Sequence, residues 1–175
     1  MGNLLLEKID YKIEKTELGT WRRYVYPTGM RFAEFRSHAT WGGLPLLHYT
    51  SGICPETGKR IVAKGVIAAG RIAAGLLAIG QASFGLIAIG QLGLGLILGL
   101  GQASSGFYAV GQLAVGAAFG LGQLATGYTA IGQFAYGKYI LAQTGFGTYA
   151  VLPGHSDPEA LEHFRTLIEF FRAGK

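Results

Sequence analysis

Glycine recurs at every fifth position through the centre of the chain, with short apolar stretches between the glycines. The series starts at Gly65, shifts by one residue before Gly101 and again before Gly122, and ends at Gly147. This spacing would scatter the glycines around all faces of an α-helix, which has about 3.6 residues per turn. Each glycine would also cost a helix about 0.8–1 kcal/mol relative to alanine. The intervening β-branched and aromatic residues are typical of strands, so the pattern predicts an all-β fold.

Glutamine follows every second glycine, which makes the repeat unit about ten residues long. The two single-residue insertions, before Gly101 and before Gly122, lie one 21-residue step apart. Stacked repeats tolerate an insertion that recurs at the same corner of successive coils. We therefore predict a β-solenoid over residues 61–152 with about 20–21 residues in each coil. Glycine is expected at its corners, because it adopts positive φ without steric cost.

This coil length separates the glutamines into two opposite columns. Amides stacked at strand spacing can hydrogen-bond along the axis of the stack, so we predict that these side chains form structural ladders. One column comprises Gln81, Gln102, Gln123 and Gln143, and the other comprises Gln91, Gln112 and Gln133, with Arg71 at its head.

The two ends of the chain are expected to cover the open edges of the solenoid. Residues 1–60 are predicted to form a capping segment with a β-hairpin that turns at Pro27-Thr28-Gly29. Residues 153–175 are predicted to form a capping helix, because Ser156-Asp157-Pro158 is a typical helix start. The apolar face of this helix, predicted to serve in capping or assembly, contains Leu161, Phe164, Leu167, Ile168 and Phe171.

Charge is nearly absent from the repeats. From residue 65 to residue 153 the only charged residues are Arg71 and Lys138, and the same stretch lacks histidine and cysteine. It therefore cannot supply acid–base pairs, catalytic triads or metal clusters. We predict that the protein is not an enzyme, binds no cofactor or metal and has no evident small-molecule substrate.

The net charge of +5 is dispersed among carboxylates near the two ends of the chain. Proteins that bind nucleic acid cluster their basic residues on one face or in a run, so a nucleic-acid partner is not expected. The first eleven residues lack the basic and long apolar regions of a secretory signal. A cytoplasmic or membrane-associated location is therefore expected.

Two alternatives stay open at this point. Residues 72–101 contain no charge, and about 20 apolar residues suffice for a membrane-spanning helix. Separately, the polar N-terminal segment contains basic and aromatic side chains that could line an enzymatic or binding site. These are Trp21, Arg22, Arg23, Arg36, His38 and Trp41.

The pattern Ala-Ile-Gly-Gln-x-x-x-Gly, at residues 78–85 and 88–95, resembles that of uncharacterised bacterial glycine-rich repeat proteins. The lead-in around Leu44-Pro-Leu-Leu-His48 and the closing Asp157-Pro-Glu-Ala160 are similar to that group as well. Hydropathy tends to mark its members as membrane proteins. The resemblance carries no catalytic residue and so implies no activity.

Together these observations predict a non-enzymatic structural protein. Alternate residues of a strand point outward, and the repeats offer almost no charge to place on that outer surface. We expect the uncharged faces to pair with other copies of the chain, giving an oligomer or filament. The alternative is a protein associated with, or embedded in, a membrane.

Overall fold

The computed structural model describes residues 9–173, with only the backbone described for Phe171. This part of the chain is mostly β, with one helix near its C-terminus. It divides into two compact units that meet in sequence between Gly90 and Gln91. The domain boundaries predicted at residues 60 and 152 stay a prediction.

The N-terminal unit begins with a meander of antiparallel strands. They are β1 (Lys12–Lys15), β2 (Gly19–Val25), β3 (Arg31–Ser37) and β6 (Leu47–Ser51), while β4 (Thr40–Trp41) pairs separately with β5 (Leu44–Pro45). The hairpin predicted between β2 and β3 is confirmed, with Gly29 at a φ of 82° in its turn. β6 then runs parallel to the start of β7, pairing His48 with Ala68.

β7 (Ala63–Leu152) is an unbroken extended segment of 90 residues. A straight strand of that length would reach about 300 Å at roughly 3.3 Å per residue, so the chain must return on itself. In the N-terminal unit, a Cβ atom added to Gly75 would overlap the carbonyl oxygen of Gly65. In the C-terminal unit, one added to Gly111 would overlap the carbonyl oxygen of Gly101. Backbones ten residues apart are therefore neighbours within each unit, at half the spacing that the predicted coil of 20–21 residues implies.

The repeat glycines owe their place to this close approach rather than to positive φ at corners. From Gly65 to Gly147 only Gly127 and Gly145 have positive φ, at 159° and 156°. The backbone at most of these glycines is therefore accessible to any residue, and the expected conformational reason is wrong. What excludes a side chain is the neighbouring backbone carbonyl, whose oxygen a Cβ atom added at most of these glycines would overlap.

Small residues at every fifth position form the core between the glycines. In the N-terminal unit Ala63, Ala68, Ala73 and Ala78 are fully buried in one cluster. In the C-terminal unit the corresponding cluster contains Ala125, Ala130, Ala135, Ile140 and Ala150. Because alanine fills so little space, the interior accommodates only one small side chain per pentad. The larger apolar residues are left on the outside.

The two insertions have the same local geometry in the C-terminal unit. A Cβ atom on Gly95 would overlap the carbonyl oxygen of Leu98, and one on Gly116 would overlap that of Phe119. We call each stretch of about ten residues between neighbouring backbones a level. The 21-residue separation of the insertions therefore corresponds to two levels rather than one. The expectation that the insertions are equivalent is confirmed, whereas their assignment to successive coils is wrong.

The chain ends in a helix, as predicted. After Val151 and Leu152 pair with β8 (His155–Ser156), α1 runs over Pro158–Ala173. Asp157 precedes it, and its backbone carbonyl accepts from Leu161 N–H at 3.1 Å. The Asp157 carboxylate accepts from Ala150 N–H at 2.7 Å, which fastens the start of the helix to the end of β7.

Residues 72–101, the candidate membrane helix, belong to β7. Within residues 9–173, no helix has both the length and the apolar character needed to cross a bilayer.

Candidate functional site

A buried carboxylate organises the polar side of the N-terminal sheet. Glu34 on β3 is only 3% exposed. Its Oε2 accepts from Arg22 Nε at 3.1 Å and from Arg22 Nη2 at 2.6 Å. Its Oε1 accepts from Arg36 Nε at 2.8 Å and lies 3.1 Å from His48 Nε2. Four nitrogens from three strands therefore converge on one carboxylate.

These partners keep the Glu34 carboxyl ionised. Burial by itself raises its pKa, but the hydrogen bonds from His48 and Arg22 and the nearby charge of Arg36 outweigh that effect. The pKa falls from 4.5 to about 2. A carboxylate that accepts several charge-assisted hydrogen bonds behaves in this way.

Strand alternation and register place the network. Along β3 the even-numbered residues Phe32 and Glu34 point inward and are buried. The β2–β3 register sets Arg22 opposite Glu34, and the β3–β6 register sets His48 opposite Arg36. Sequence reasoning missed Glu34 and His48. A usable signal was present, since the hairpin turn fixes the register and gives Glu34 the inward face shared by Phe32.

The hydrogen bonds of this network join neighbouring strands to one another. Lys64 N–H donates to His48 Nδ1 at 2.8 Å, which leaves the proton on Nε2 for donation to Glu34. Both imidazole nitrogens are thus occupied. A general base needs a free nitrogen within reach of a substrate proton, and His48 offers none. The network instead ties β2, β3 and β6 to the start of the repeats.

The structure brings four of the six basic and aromatic candidates for an N-terminal site together, as two separate pairs. Arg22 and Arg36 meet on Glu34, whereas Trp21 lies on the opposite face of the sheet. There the Arg23 guanidinium stands 4.5 Å above the Trp21 ring. The other two also lie elsewhere: His38 contacts Thr20 Oγ1 at 3.0 Å, and Trp41 is 63% exposed.

Cys54 is a free, buried thiol in the turn after β6, 3.9 Å from the Tyr11 hydroxyl. Among the residues that the structure describes, no group of three histidine, cysteine or acidic side chains is close enough to hold a metal ion.

All seven glutamines predicted as ladder elements are exposed. They are Gln81, Gln91, Gln102, Gln112, Gln123, Gln133 and Gln143, and Arg71 is also exposed. In the C-terminal unit, the ten-residue contacts stack Gly101, Gly111, Gly122 and Gly132 on successive levels. The glutamine after each therefore lies in one column rather than in two opposite ones. Hydrogen bonding along this column stays a prediction.

Engineered cysteine pairs can measure the register of this column. In a Cys54→Ser background, the pair Gln102→Cys and Gln112→Cys is expected to form a disulfide under mild oxidation. Neighbouring strands lie about 4.8 Å apart, within the roughly 4.4–6.8 Å that disulfides span between Cα atoms. The matched pair Gln102→Cys and Gln123→Cys, two levels apart, is expected to stay reduced. The measurement is the non-reducing gel shift of the monomer after proteolysis between the two positions. Crosslinking of the second pair alone would restore the coil of 20–21 residues.

The helix buries only part of its predicted apolar face. Phe164 is 6% exposed and Leu167 is half-buried, but Leu161 and Ile168 are 48% and 57% exposed. The Phe171 side chain lies outside the described residues. An aromatic contact helps to hold the helix, because the His163 ring stacks on Tyr139 at 4.0 Å and its Nε2 lies 2.8 Å from Thr129 Oγ1. Burial lowers the pKa of His163.

Comparison of the chain with protein-family models, with curated proteins and with solved structures gives no match.

Proposed function

We propose that this protein is a non-enzymatic structural protein whose repeats wind as a β-solenoid of about ten residues per coil and self-associate into an oligomer or filament. The ten-residue backbone contacts within each unit support the winding. Two pentads then make one coil, so residues five apart lie on opposite sides. One side carries the glutamines, and from residue 65 the other carries no charged side chain before Lys138.

The observation that carries the proposal is a cluster of large apolar side chains on the side opposite the glutamines. In the C-terminal unit Leu96 is 72% exposed, Ile97 49%, Phe107 50% and Tyr108 45%. Gly106 lies against the Gly95 carbonyl oxygen, with 2.8 Å to an added Cβ atom, so Leu96 and Phe107 stand on neighbouring levels. Contiguous apolar patches of this kind usually mark an interface.

The chemistry of the cluster favours a second copy of the same chain as the partner. No charged residue occurs from residue 72 to residue 137, so the surface has nothing that would select a charged partner. Its residues recur level by level, and a repeated surface can meet an identical repeated surface in register. Burying a Leu or Phe side chain completely contributes about 1.5–3 kcal/mol, which several levels would multiply.

A single charge on each side of the repeats tests this proposal. Leu96→Lys is expected to convert the assembled protein to a smaller species, because pairing would bury an uncompensated ammonium group. Gln102→Lys is the matched control, since it adds the same charge five residues from Phe107 on the side bearing glutamine. The measurement is sedimentation velocity of the full chain without detergent, at equal concentrations.

The outcomes separate the two functions considered. Assembly that survives Leu96→Lys, or that fails equally with Gln102→Lys, would contradict pairing through this cluster. A parent chain that stays monomeric and floats with neutral lipid vesicles would overturn self-association in favour of the membrane-associated alternative.

A further inference from the structure

A groove of about 630 Å³ crosses the N-terminal unit beside Thr50. Its apolar wall includes Ile61, Ile79 and Ile89, and Gly70 and Gly80 leave its floor without side chains. The volume lies within the roughly 300–1,000 Å³ of small-molecule sites, which combine apolar walls with a few convergent polar groups.

The charged groups of the groove all have the same sign. Arg60 and Arg71 line it, and no carboxylate does. Within residues 9–173 neither guanidinium forms an ion pair, and the carboxylates of Glu34 and Glu56 pair with Arg22 and Arg36 instead. Two unpaired guanidinium groups in one cavity favour a phosphate or carboxylate group, which each can bind with two hydrogen bonds.

Thr50 holds the two arginine-bearing segments together. Its hydroxyl donates to the Ile61 carbonyl oxygen at 3.0 Å, next to Arg60. Gly70, next to Arg71, lies so close that an added Cβ atom would be 2.9 Å from the Thr50 carbonyl oxygen. Thr50 itself is 4% exposed. The backbones beside the two arginines are thus fixed, and only the long side chains must order when a ligand binds.

Arg71 departs from the repeat at the point where the groove lies. The equivalent position of later repeats is glutamine, as in Gln81, which also lines the groove. Arg71 is the only charged residue from residue 65 to residue 137, and it has no ion-pair role in the described residues. Its place beside Arg60 gives the apolar groove a cationic end.

We propose that this groove binds a soluble single-chain amphiphile with a phosphate or carboxylate head group. The head group binds Arg60 and Arg71, and the alkyl body lies along Ile79 and Ile89. This inference goes beyond the proposed self-association and does not depend on it, because the groove lies on the side of the repeats that bears Gln81.

Calorimetric titration of the full chain tests the proposal with three probes below their micelle concentrations. Octyl phosphate supplies both parts of the ligand, inorganic phosphate supplies the head alone, and octyl glucoside supplies an alkyl chain on an uncharged head. Octyl phosphate is expected to bind at least ten times more tightly than either of the others. Arg71→Gln, which restores the residue of the later repeats, is expected to weaken octyl phosphate at least ten-fold, and Arg60→Gln is expected to do the same.

Lys138→Gln is the matched control, because Lys138 is the other charged residue of the repeats and lies in the C-terminal unit. It is expected to leave octyl phosphate affinity unchanged. Equal affinity of parent and Arg71→Gln, with unchanged unfolding midpoints, would overturn the proposal. So would octyl glucoside binding as tightly as octyl phosphate, inorganic phosphate binding equally well, or binding seen only with anionic lipid vesicles. Sedimentation of Arg71→Gln separates the two proposals, since its assembly should match that of the parent whether or not the ligand binds.

Discussion

Gly111→Ala is expected to lower the free energy of unfolding of the C-terminal unit by about 3 kcal/mol, at the upper end of the usual cost of overpacking. The added methyl group would overlap the carbonyl oxygen of Gly101 and lie 3.1 Å from Ser104 Oγ. A flexible side chain could move aside, but a backbone carbonyl can move only with its whole level. Because the levels on both sides pack in the same way, the displacement would spread through the stack.

Ala142→Gly provides the matched control. Ala142 occupies the place that glycine holds in the other repeats, and it packs against the cluster that contains Ile140 and Ala150. Its replacement should cost only about 0.5–1 kcal/mol, the usual penalty of glycine within a strand. Hydrogen exchange of the amides in residues 91–152, monitored as denaturant is added, measures the change in the free energy of unfolding for both variants. Similar small effects at the two positions would mean that backbones ten residues apart do not touch, and the ten-residue winding would have to be abandoned.

The sequence predicts the class of fold well because the determining pattern is local. Glycine spacing excludes a helix in the repeats, and the turn at Pro27-Thr28-Gly29 and the helix start at Asp157-Pro158 are short motifs with their own stereochemistry. Each of these predictions depends on residues that lie close together in the chain. The structure confirms them.

The spacing between levels was predicted wrongly because the distance between the two insertions was given more weight than the period of the repeat. The alternation of Gly-Gln with plain glycine has a ten-residue period, which equals the observed level. The 21-residue distance between insertions suggested one coil, although it also fits two levels of ten or eleven residues. A stack with levels of ten residues has room for a single alanine per pentad, and the alanines from Ala63 to Ala78 recur in just that way. The spacing of the alanines therefore indicates the size of the core, whereas hydropathy alone does not.

Glu34 was missed for a different reason. Composition and spacing identify clusters that are close in sequence, while two of the partners of Glu34, Arg22 and His48, lie 12 and 14 residues away on other strands. Only the register of the sheet brings them together. A charged residue on the inward face of a predicted strand should therefore be checked for partners on the neighbouring strands.

Glu34→Ala is expected to destabilise the N-terminal unit by about 3 kcal/mol, because removing one partner from a buried ionic network leaves the others unsatisfied. His48 Nε2 would lose its acceptor, and among the described residues the Arg22 guanidinium would keep Glu56, at 3.6 Å, as its only ion-pair partner. Glu14→Ala is the matched control on the neighbouring strand. Its pair with Arg23 is exposed, and such pairs contribute less than about 1 kcal/mol.

The same carboxyl makes stability depend on pH in a defined window. Its pKa is about 2 in the folded protein and 4.5 when unperturbed, so the unfolded chain binds the proton first as the pH falls. The contribution of Glu34 is therefore complete above about pH 5, declines below pH 4.5 and is lost as the pH passes through 2. A difference of this size corresponds to about 3 kcal/mol.

Both tryptophans, Trp21 and Trp41, lie in the N-terminal unit, so their fluorescence reports its unfolding by denaturant at each pH. Glu34→Gln should flatten the profile between pH 4.5 and 2, whereas Glu14→Gln should leave it as in the parent. Parallel profiles for Glu34→Gln and the parent would show that the decline belongs to other carboxyls. The Glu34 network would then contribute little to the stability with which β2, β3 and β6 are held to the repeats.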